Sequence, residues 1–553
     1  MTKIKSLFLL FIVSFLLIVY RLFIFQVLKK SNISPNNYLQ TKKIMPERGR
    51  LYDRNMKPLV LNQNSYLLFV EPKKVSDKKE LIEKLDKVLK IGAATIEAKI
   101  DFSKDWVAIR SGLDDEQKRN IDKLNLKAVG FEQGTKRYYP EASLSAHLAG
   151  FVGKNEKSED IGYFGIEGFY DKDLIGMPGF FQTERDLMNR PIFIGTQEKF
   201  NAEDGRDLVL TIDKSIQEIV KRKLNSSMQK YESKQGYVIV ANPKTMEILA
   251  LVCLPDYDPG NYFLYSEEIF KNPAISEVYE PGSTFKPLIV AAALEEKRIK
   301  ADSFYQETGP VTIGEYSIKT WNDKYEGKIS ITRLLEKSSN VGMVYIGEKL
   351  GNKNIIKYLD KYGFGQFTGI DLQGETSGYI RQDDQWYPID YATVTFGQGI
   401  AVTPIQMLKA FAGVINGGKL LQPFIVKKII ANGKEKEFKP KIQEQIVSRQ
   451  VSEVIKKMLV STVENGEIKW AAPKGYVIGG KTGTAQIAIK GHYDPTKTIA
   501  SFIGFAPAEE PKFIALVILK EPGSSQWGSE TAAPLFFDIA KELLMYYNIA
   551  PQQ

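Results

Sequence analysis

Tyr279-Glu280-Pro281-Gly282-Ser283-Thr284-Phe285-Lys286-Pro287 is the stretch from which the rest of the chain is best read. Pro281-Gly282 makes a tight turn. Leu288 to Leu294 (LIVAAAL) then continues from Pro287 as a nearly all-apolar helix, and a helix apolar all round is a buried one. Ser283 falls at its N-terminus, where the positive end of the dipole favours a developing anion. Lys286, one turn on, shares that face. A protonated lysine is no base. Its reference pKa of about 10.4 must fall by about three units for work near neutrality, roughly 4 kcal/mol, and burial alone shifts a lysine by about 3–5 units. Ser76 with Lys79, and Ser227 with Lys230, repeat the S-x-x-K spacing, but in strongly polar runs that offer no desolvation.

Two further motifs complete a set. Ser338-Ser339-Asn340 is an S-x-N that follows Leu334-Leu335-Glu336-Lys337; Ser34-Pro35-Asn36 has the spacing without the setting. Lys481-Thr482-Gly483-Thr484 is a K-T-G, read at the end of a strand Tyr476-Val477-Ile478 and after Gly479-Gly480. Ser283, Ser338 and Lys481 come in that order, with enough chain between them for three separate elements. S-x-x-K, S-x-N and K-T-G together are the trio of penicillin-binding proteins and serine β-lactamases. Strict alternation along a strand puts Lys481 on the face opposite Thr482 and Thr484, and the paired glycines offer the twist that would reconcile them.

Composition excludes other chemistries. One cysteine, Cys253, allows no intramolecular disulfide and reads as a small buried hydrophobe. Two histidines, His147 and His492, leave no cluster for a catalytic zinc and make a Ser-His-Asp hydrolase a poor candidate. His147 reads as packed structure and His492, beside Gly491, as loop. The net charge of +9 is modest over 553 residues and no basic block stands out, which disfavours nucleic acid. No metal or cofactor is expected.

Leu7 to Tyr20 (LFLLFIVSFLLIVY) is nearly all apolar. As a helix it reaches about 21 Å, short of the roughly 30 Å hydrocarbon core. Extension to Val27 gives about 31 Å and takes in Arg21 and Gln26, with Arg21 near enough to the far end to snorkel. A cleaved signal peptide needs a small-x-small site after the apolar core, and YRLFIFQVLKKSN has none. Lys3 and Lys5 precede the span while Lys29 and Lys30 follow it, so charge leaves the orientation open. The reading is a single-pass anchor, with the side that holds the body decided by its chemistry.

Beyond the anchor, residues 31–200 are rich in Lys, Glu and Asp, with a strand at Asn62 to Glu71 and an amphipathic helix at Lys79 to Leu89. Asp204-Gly205 marks a turn. A strand at Asp207 to Ile212 and a helix at Ser215 to Tyr231 follow, with Ser215 as a possible N-cap. Strands at Gly236 to Ala241 and Glu247 to Leu254 flank an Asn-Pro-Lys-Thr turn; further strands at Thr498 to Ala506 and Lys512 to Leu519 precede a helix near Ala533 to Tyr546. Hairpins with helices at both ends predict an α+β domain, an antiparallel sheet covered by helices. The expected organisation is a cytoplasmic tail 1–5, a transmembrane anchor 6–28, an elongated pedestal 29–203 and a catalytic domain 204–553.

The chain closely resembles the class B penicillin-binding proteins, monofunctional D,D-transpeptidases of peptidoglycan synthesis, over nearly its whole length. The resemblance rests on Arg48-Gly49-Arg50-Leu51-Tyr52-Asp53-Arg54-Asn55, Ala146-His147-Leu148-Ala149-Gly150, Gly165-Ile166-Glu167-Gly168, Tyr279 to Pro287 and Thr395-Phe396-Gly397-Gln398-Gly399. YEPGSTFKP and FGQGIAVTP look most like the division-type, septal members. Met56 departs from the pattern, standing where the family usually has Gly. The resemblance implies a pedestal of the dimerisation type and a β-lactamase-like catalytic fold. It implies Ser283 as the acylated nucleophile and Lys286 as its general base. Ser338 would relay a proton to the leaving amine and Asn340 would hold the donor peptide's amide. Lys481 would keep Lys286 deprotonated, while Thr482, Gly483 and Thr484 would bind the terminal carboxylate. Backbone N–H groups of Ser283 and Thr484 would form an oxyanion hole, worth about 3–4 kcal/mol per donor. Implied partners are peptidoglycan stem peptides, β-lactams, a polytopic septal glycan polymerase and other division proteins, with the body on the outer, periplasmic side of the cytoplasmic membrane. The run Arg48 to Arg54 is read with Glu167 as an interdomain ion-pair network. Rival readings are an elongation-type transpeptidase of identical chemistry, a carboxypeptidase or β-lactamase in which water replaces the amine, a penicillin-sensing receptor and a bifunctional synthase. A lactamase has no use for so large a pre-catalytic region, a receptor would want several spans and an effector domain, and a synthase a second enzymatic domain with paired glutamates.

Overall fold

The two apolar runs near residues 240 and 250 form a hairpin, β1 (Gln235–Ala241) and β2 (Ile248–Leu254), inside a five-stranded antiparallel sheet. The other strands are β3 (Gly479–Ile489), β4 (His492–Ala506) and β5 (Phe513–Lys520), and the order is β2-β1-β5-β4-β3. The structure, a computed structural model, describes residues 2–24, 39–184, 197–489 and 492–552.

Successive residues of a strand point to opposite faces, so a sheet covered on both faces is apolar without alternation. Along β1, Tyr237 and Ile239 enter one core and Val238 and Val240 the other. The helices Lys214–Lys230 and Ala532–Tyr546 cover the second face. The first face receives the helices Lys286–Glu295 and Pro404–Ile415. Residues 286–293 are all buried, as the apolar run requires. Cys253 is buried in β2, and burial pushes its thiol far up. This α+β architecture is the expected one.

Three local expectations change. Asp213, not Ser215, caps the helix at 214: its carboxylate accepts from Ser215 N at 3.0 Å and Ile216 N at 3.4 Å. His492 opens β4 opposite Ile489 and is not loop. The K-T-G stands at the start of β3, and Tyr476 to Ile478 precede the strand.

Contacts divide the chain into two units, residues 1–48 with 175–205 and residues 49–174 with 206–553. The first holds the helix Thr2–Phe23 and a three-stranded antiparallel sheet of Leu39–Ile44, Gly179–Glu184 and Gln197–Phe200. Ile4–Phe23 has a mean hydropathy of 2.4 and is long and apolar enough to cross a membrane. Gln26, Val27, Lys29, Lys30 and the decoy Ser34 to Asn36 lie outside the described residues, as do 185–196 of the expected pedestal.

The second unit carries a seven-stranded sheet in which the short strand Leu51–Tyr52 pairs in parallel with Asp207–Leu210 and antiparallel with Pro58–Val70. The helix Lys78–Leu89 matches its apolar spacing, burying Leu81, Ile82, Leu85 and Leu89. Asp53 pins the turn after the short strand, accepting from Asn55 N at 2.7 Å, Lys57 N at 2.8 Å and Lys214 N at 3.2 Å. Met56 within that turn has φ +63° and is 52% exposed, so the position where Gly was expected does take the left-handed region. Of the expected ion-pair network, Arg54 reaches Glu247 at 3.3 Å. Glu167 is paired at 2.7 Å with Arg137, a residue that no sequence motif marked. His147 is packed structure, its Nε2 2.9 Å from the Ile269 carbonyl and its ring edge-on to Tyr257.

Candidate active site

Ser283 lies in a single 3-10 turn, Gly282–Phe285, that feeds the buried helix Lys286–Glu295. Thr284 Oγ1 donates to the Pro281 carbonyl at 2.7 Å and fixes the turn. Gly282 N donates to Gly397 O at 3.0 Å. A Cβ on Gly397, where φ is +79°, would stand 2.3 Å from Gly282 O. Only glycine allows this backbone-to-backbone seat, which explains the first glycine of the F-G-Q-G run. Phe396 and Gln398 on either side of Gly397 line the cleft.

The S-x-N motif forms the opposite wall, and its middle residue explains its spacing. Ser339 Oγ accepts from Gly342 N at 3.0 Å, capping the helix Asn340–Leu350, and donates to the buried Glu307. With Ser339 turned inward, the residues on each side meet Lys286. Lys286 Nζ lies 2.5 Å from Ser338 O, 2.8 Å from Asn340 Oδ1 and 3.2 Å from Ser338 Oγ. The carbonyl and the amide oxygen only accept; the hydroxyl can also donate. Two N–H bonds and one lone pair, the inventory of a neutral amine, therefore satisfy the site as well as three N–H bonds do. Ser338 has φ +58°, a left-handed conformation uncommon for serine, and strain of this kind gathers at functional sites. Among the described residues no hydrogen bond joins Lys286 to Ser283; such bonds are often loose before substrate arrives.

β3 is the free edge of the sheet and runs beside the nucleophile turn: a Cβ on Gly282 would lie 3.2 Å from Thr484 O. Strict alternation holds. Lys481 and Gly483 are buried, whereas Thr482 and Thr484 line the cleft. The lysine stem is long enough to bring Nζ back to the strand edge, 3.2 Å from Thr482 Oγ1 and 3.3 Å from Thr482 O. No twist at Gly479-Gly480 is needed. Thr484 Oγ1 accepts from Gly528 N at 3.0 Å, which leaves its own proton to donate into the cleft.

Both lysines are buried, Lys286 at 0% and Lys481 at 3% exposure. Burial holds Lys286 well below the usual lysine range, the Lys481 charge pushes the same way, and Glu467 opposes. Lys481 is pushed down to about 8 by burial, again against Glu467. Burial and the neighbouring Lys481 charge both favour the neutral form of Lys286. A serine hydroxyl, a buried amine pushed toward its neutral form and a second lysine beside it suit acyl transfer through serine.

The cleft offers about 100 Å³ and also takes in Trp321, Glu467, Trp527 and Ser529. Sequence reading named none of these four. Trp321 and Trp527 come from opposite walls with ring centroids 5.3 Å apart. Single residues on loops carry no spacing signal, and only the fold assembles them.

Comparison with known proteins agrees with this geometry. Residues 236–541 match the penicillin binding protein transpeptidase domain family, and residues 43–210 the penicillin-binding protein dimerisation domain family. Stage V sporulation protein D of Bacillus subtilis is 33% identical over 95% of this chain and 82% of its own length. The peptidoglycan D,D-transpeptidase FtsI of Escherichia coli K12 is 29% identical over 93% of this chain and 86% of its own. A crystal structure of a peptidoglycan synthetase from Bifidobacterium adolescentis superposes with a TM-score of 0.75 at 27% identity, covering 93% of this chain and 98% of that one. Fold and site define a serine acyl-transfer enzyme of the penicillin-binding type. The chain belongs to the class B penicillin-binding proteins, the serine-type D-Ala-D-Ala transpeptidases.

Proposed function

We propose that this chain cross-links peptidoglycan stem peptides at the division septum through an acyl-Ser283 intermediate, and that β-lactams inhibit it by acylating the same oxygen. The observation that carries the reading is Lys286: fully buried, held by Ser338 and Asn340, and one helical turn from Ser283.

Lys286 takes the Ser283 proton as Oγ attacks the carbonyl of the penultimate D-alanine. Backbone N–H groups of Ser283 and Thr484 stabilise the oxyanion. Ser338 passes the proton from Lys286 to the departing D-alanine nitrogen as the C–N bond breaks. Asn340 holds the donor amide, and Thr482, Gly483 and Thr484 beside Lys481 hold the terminal carboxylate. An amine of a second stem peptide then attacks the ester; its proton returns to Ser283 through Lys286 and a new amide forms. In a β-lactam the leaving nitrogen stays tethered to the acyl group, so the ester persists.

The anchor helix holds the body on the outer face of the cytoplasmic membrane, where the substrate is. Residues 29–203 act as the pedestal and 204–553 as the catalytic domain. Polymerisation comes from a polytopic partner beside the anchor. The YEPGSTFKP and FGQGIAVTP stretches support the septal assignment. A spore-specific role is the second reading, supported by the 33% identity to the sporulation protein.

Labelled penicillin should attach to Ser283 and to no other residue by mass spectrometry; a label on Ser76 or Ser227, or one kept in Ser283→Ala, refutes the site. A fluorescent fusion separates the roles. Septal signal in growing cells supports the first reading, signal confined to sporulating cells the second, and lateral-wall signal an elongation enzyme.

A further inference from the structure

Behind β3 lies a second cavity, lined by Glu336, Thr462, Glu467, Ile468, Gly480, Lys481 and Thr482, with about 10 Å³ of room for the centre of a water. That is space for about one water molecule, and its walls are polar enough to hold it. Glu467 and Thr482 also line the main cleft, so both belong to both spaces. Glu467 follows the helix Arg449–Glu464, whose Thr462 Oγ1 donates to the carbonyl of Gly480, next to Lys481. The backbone around the glutamate is therefore tied to the strand that carries the lysine.

We propose that Glu467 is a positioning residue of this site: its carboxylate, facing Lys481 across the small cavity and reaching it through one water, keeps Lys481 charged and so assigns the neutral state to Lys286.

Two buried lysines side by side do not both stay protonated, and catalysis needs a particular one to be neutral. A third charge that bears more on one lysine than on the other sharpens that choice. Among the described residues no carboxylate lies within ion-pair distance of either lysine, so a direct salt bridge does not do it. Burial pushes the Glu467 carboxyl up, and Lys481 opposes this most, then Lys286, a Trp321 hydrogen bond and more weakly Lys337. Glu336 also borders the cavity, but its carboxylate is engaged, accepting from Ser461 Oγ at 2.5 Å and pairing with Arg333 at 3.1 Å. Lys337 is held by Glu307 at 3.5 Å and Glu326 at 3.3 Å. Glu467 is left as the anion that answers Lys481. Its residue surface is exposed although its carboxyl feels burial, and solvent screening places its effect at the low end for an opposite charge.

The inference rests on the reading of Lys286 as base. Acylation by labelled penicillin, followed against pH, should rise as Lys286 loses its proton and fall as Lys481 loses its own. Removing an anion lowers the proton affinity of both lysines. Because Glu467 bears more on Lys481 than on Lys286, Glu467→Gln should move the alkaline limb to lower pH by about half a unit or more and the acid limb by less, so that acylation above pH 8 falls several-fold. Glu467→Thr, neutral and smaller, should move them likewise, and Glu467→Asp should keep them near wild type. Limbs that stay in place in Glu467→Gln and Glu467→Thr, whatever the change in height, overturn the proposal. So does an equal move of both limbs in Glu467→Gln, and so does a shift in Glu467→Asp as large as that in Glu467→Gln. Failure of the underlying reading looks different: Lys286→Arg would then still acylate.

Discussion

The catalytic cleft and the pedestal each bury a cation, and they treat it in opposite ways. Arg137 of the strand Val129–Tyr138 meets Glu167 at 2.7 Å and Asn62 at 2.8 Å, with side-chain exposures of 5% and 0% for the pair. Lys286 is given only uncharged oxygens, and the charge that acts on it most is another cation, Lys481. A buried charge with a carboxylate partner keeps its charge and serves structure; a buried amine denied one sheds its proton and becomes reactive. The residue types follow suit. Arginine does not deprotonate in proteins and lysine readily does.

The largest expected effect tests the cleft side of this contrast. Lys286→Arg keeps the charge and loses the base, so acylation by labelled penicillin should fall about 100- to 10,000-fold. A rate within tenfold of wild type would make Lys286 a mere structural cation. Arg137→Ala tests the pedestal side. It leaves Glu167 buried without its partner and should cost about 3–5 kcal/mol in urea unfolding, while the protein that remains folded acylates normally. Loss of acylation without loss of stability would erase the distinction between the two regions. Lys481→Gln sharpens the cleft side alone. Removing the cation raises the proton affinity of Lys286, so the acid limb of the acylation profile should move to higher pH, by about one unit.

The smallest effect concerns backbone conformation. Ser338 and Met56 share the left-handed region at φ +58° and +63°. In the cleft that conformation presents a carbonyl and a hydroxyl to Lys286. In the pedestal it only turns the chain. Met56→Gly should therefore stabilise the protein by about 0.5 kcal/mol, the relief of left-handed strain less the entropy that glycine loses on folding. A destabilised Met56→Gly would mean that the methionine side chain has a role its exposure hides.

Legibility in the sequence followed the range of the interactions. The buried helix after Ser283, the hairpin of β1 and β2 and the amphipathic helix at 78–89 announce themselves through local periodicity. The three motifs named the residues that meet Lys286, and the desolvation expected of Lys286 is what the fold provides. Strand alternation was read correctly at Lys481, but the reach of a lysine stem was not. Asp213 outcompeted Ser215 as a cap because its carboxylate accepts from two N–H groups at once. Arg137, Glu467, Trp321 and Trp527 stayed hidden, since each acquires its meaning from a neighbour far away in the chain. Glu467 carries no spacing signal; only the packing of the helix Arg449–Glu464 against β3 brings it to the lysines.

The parallel pairing of Leu51–Tyr52 with Leu208 and Val209 bears on where this protein can be cut. A fragment beginning at residue 204 would keep every motif of the trio and lose the neighbour of its own first strand. The strand Asp207–Leu210 would then bond on one side only, to Val426–Ala431, with its other row of N–H and C=O groups bare. Bare strand edges recruit other chains. The shortest soluble form of the enzyme should thus begin before Leu51, and the short strand there acts as a seal on the catalytic half.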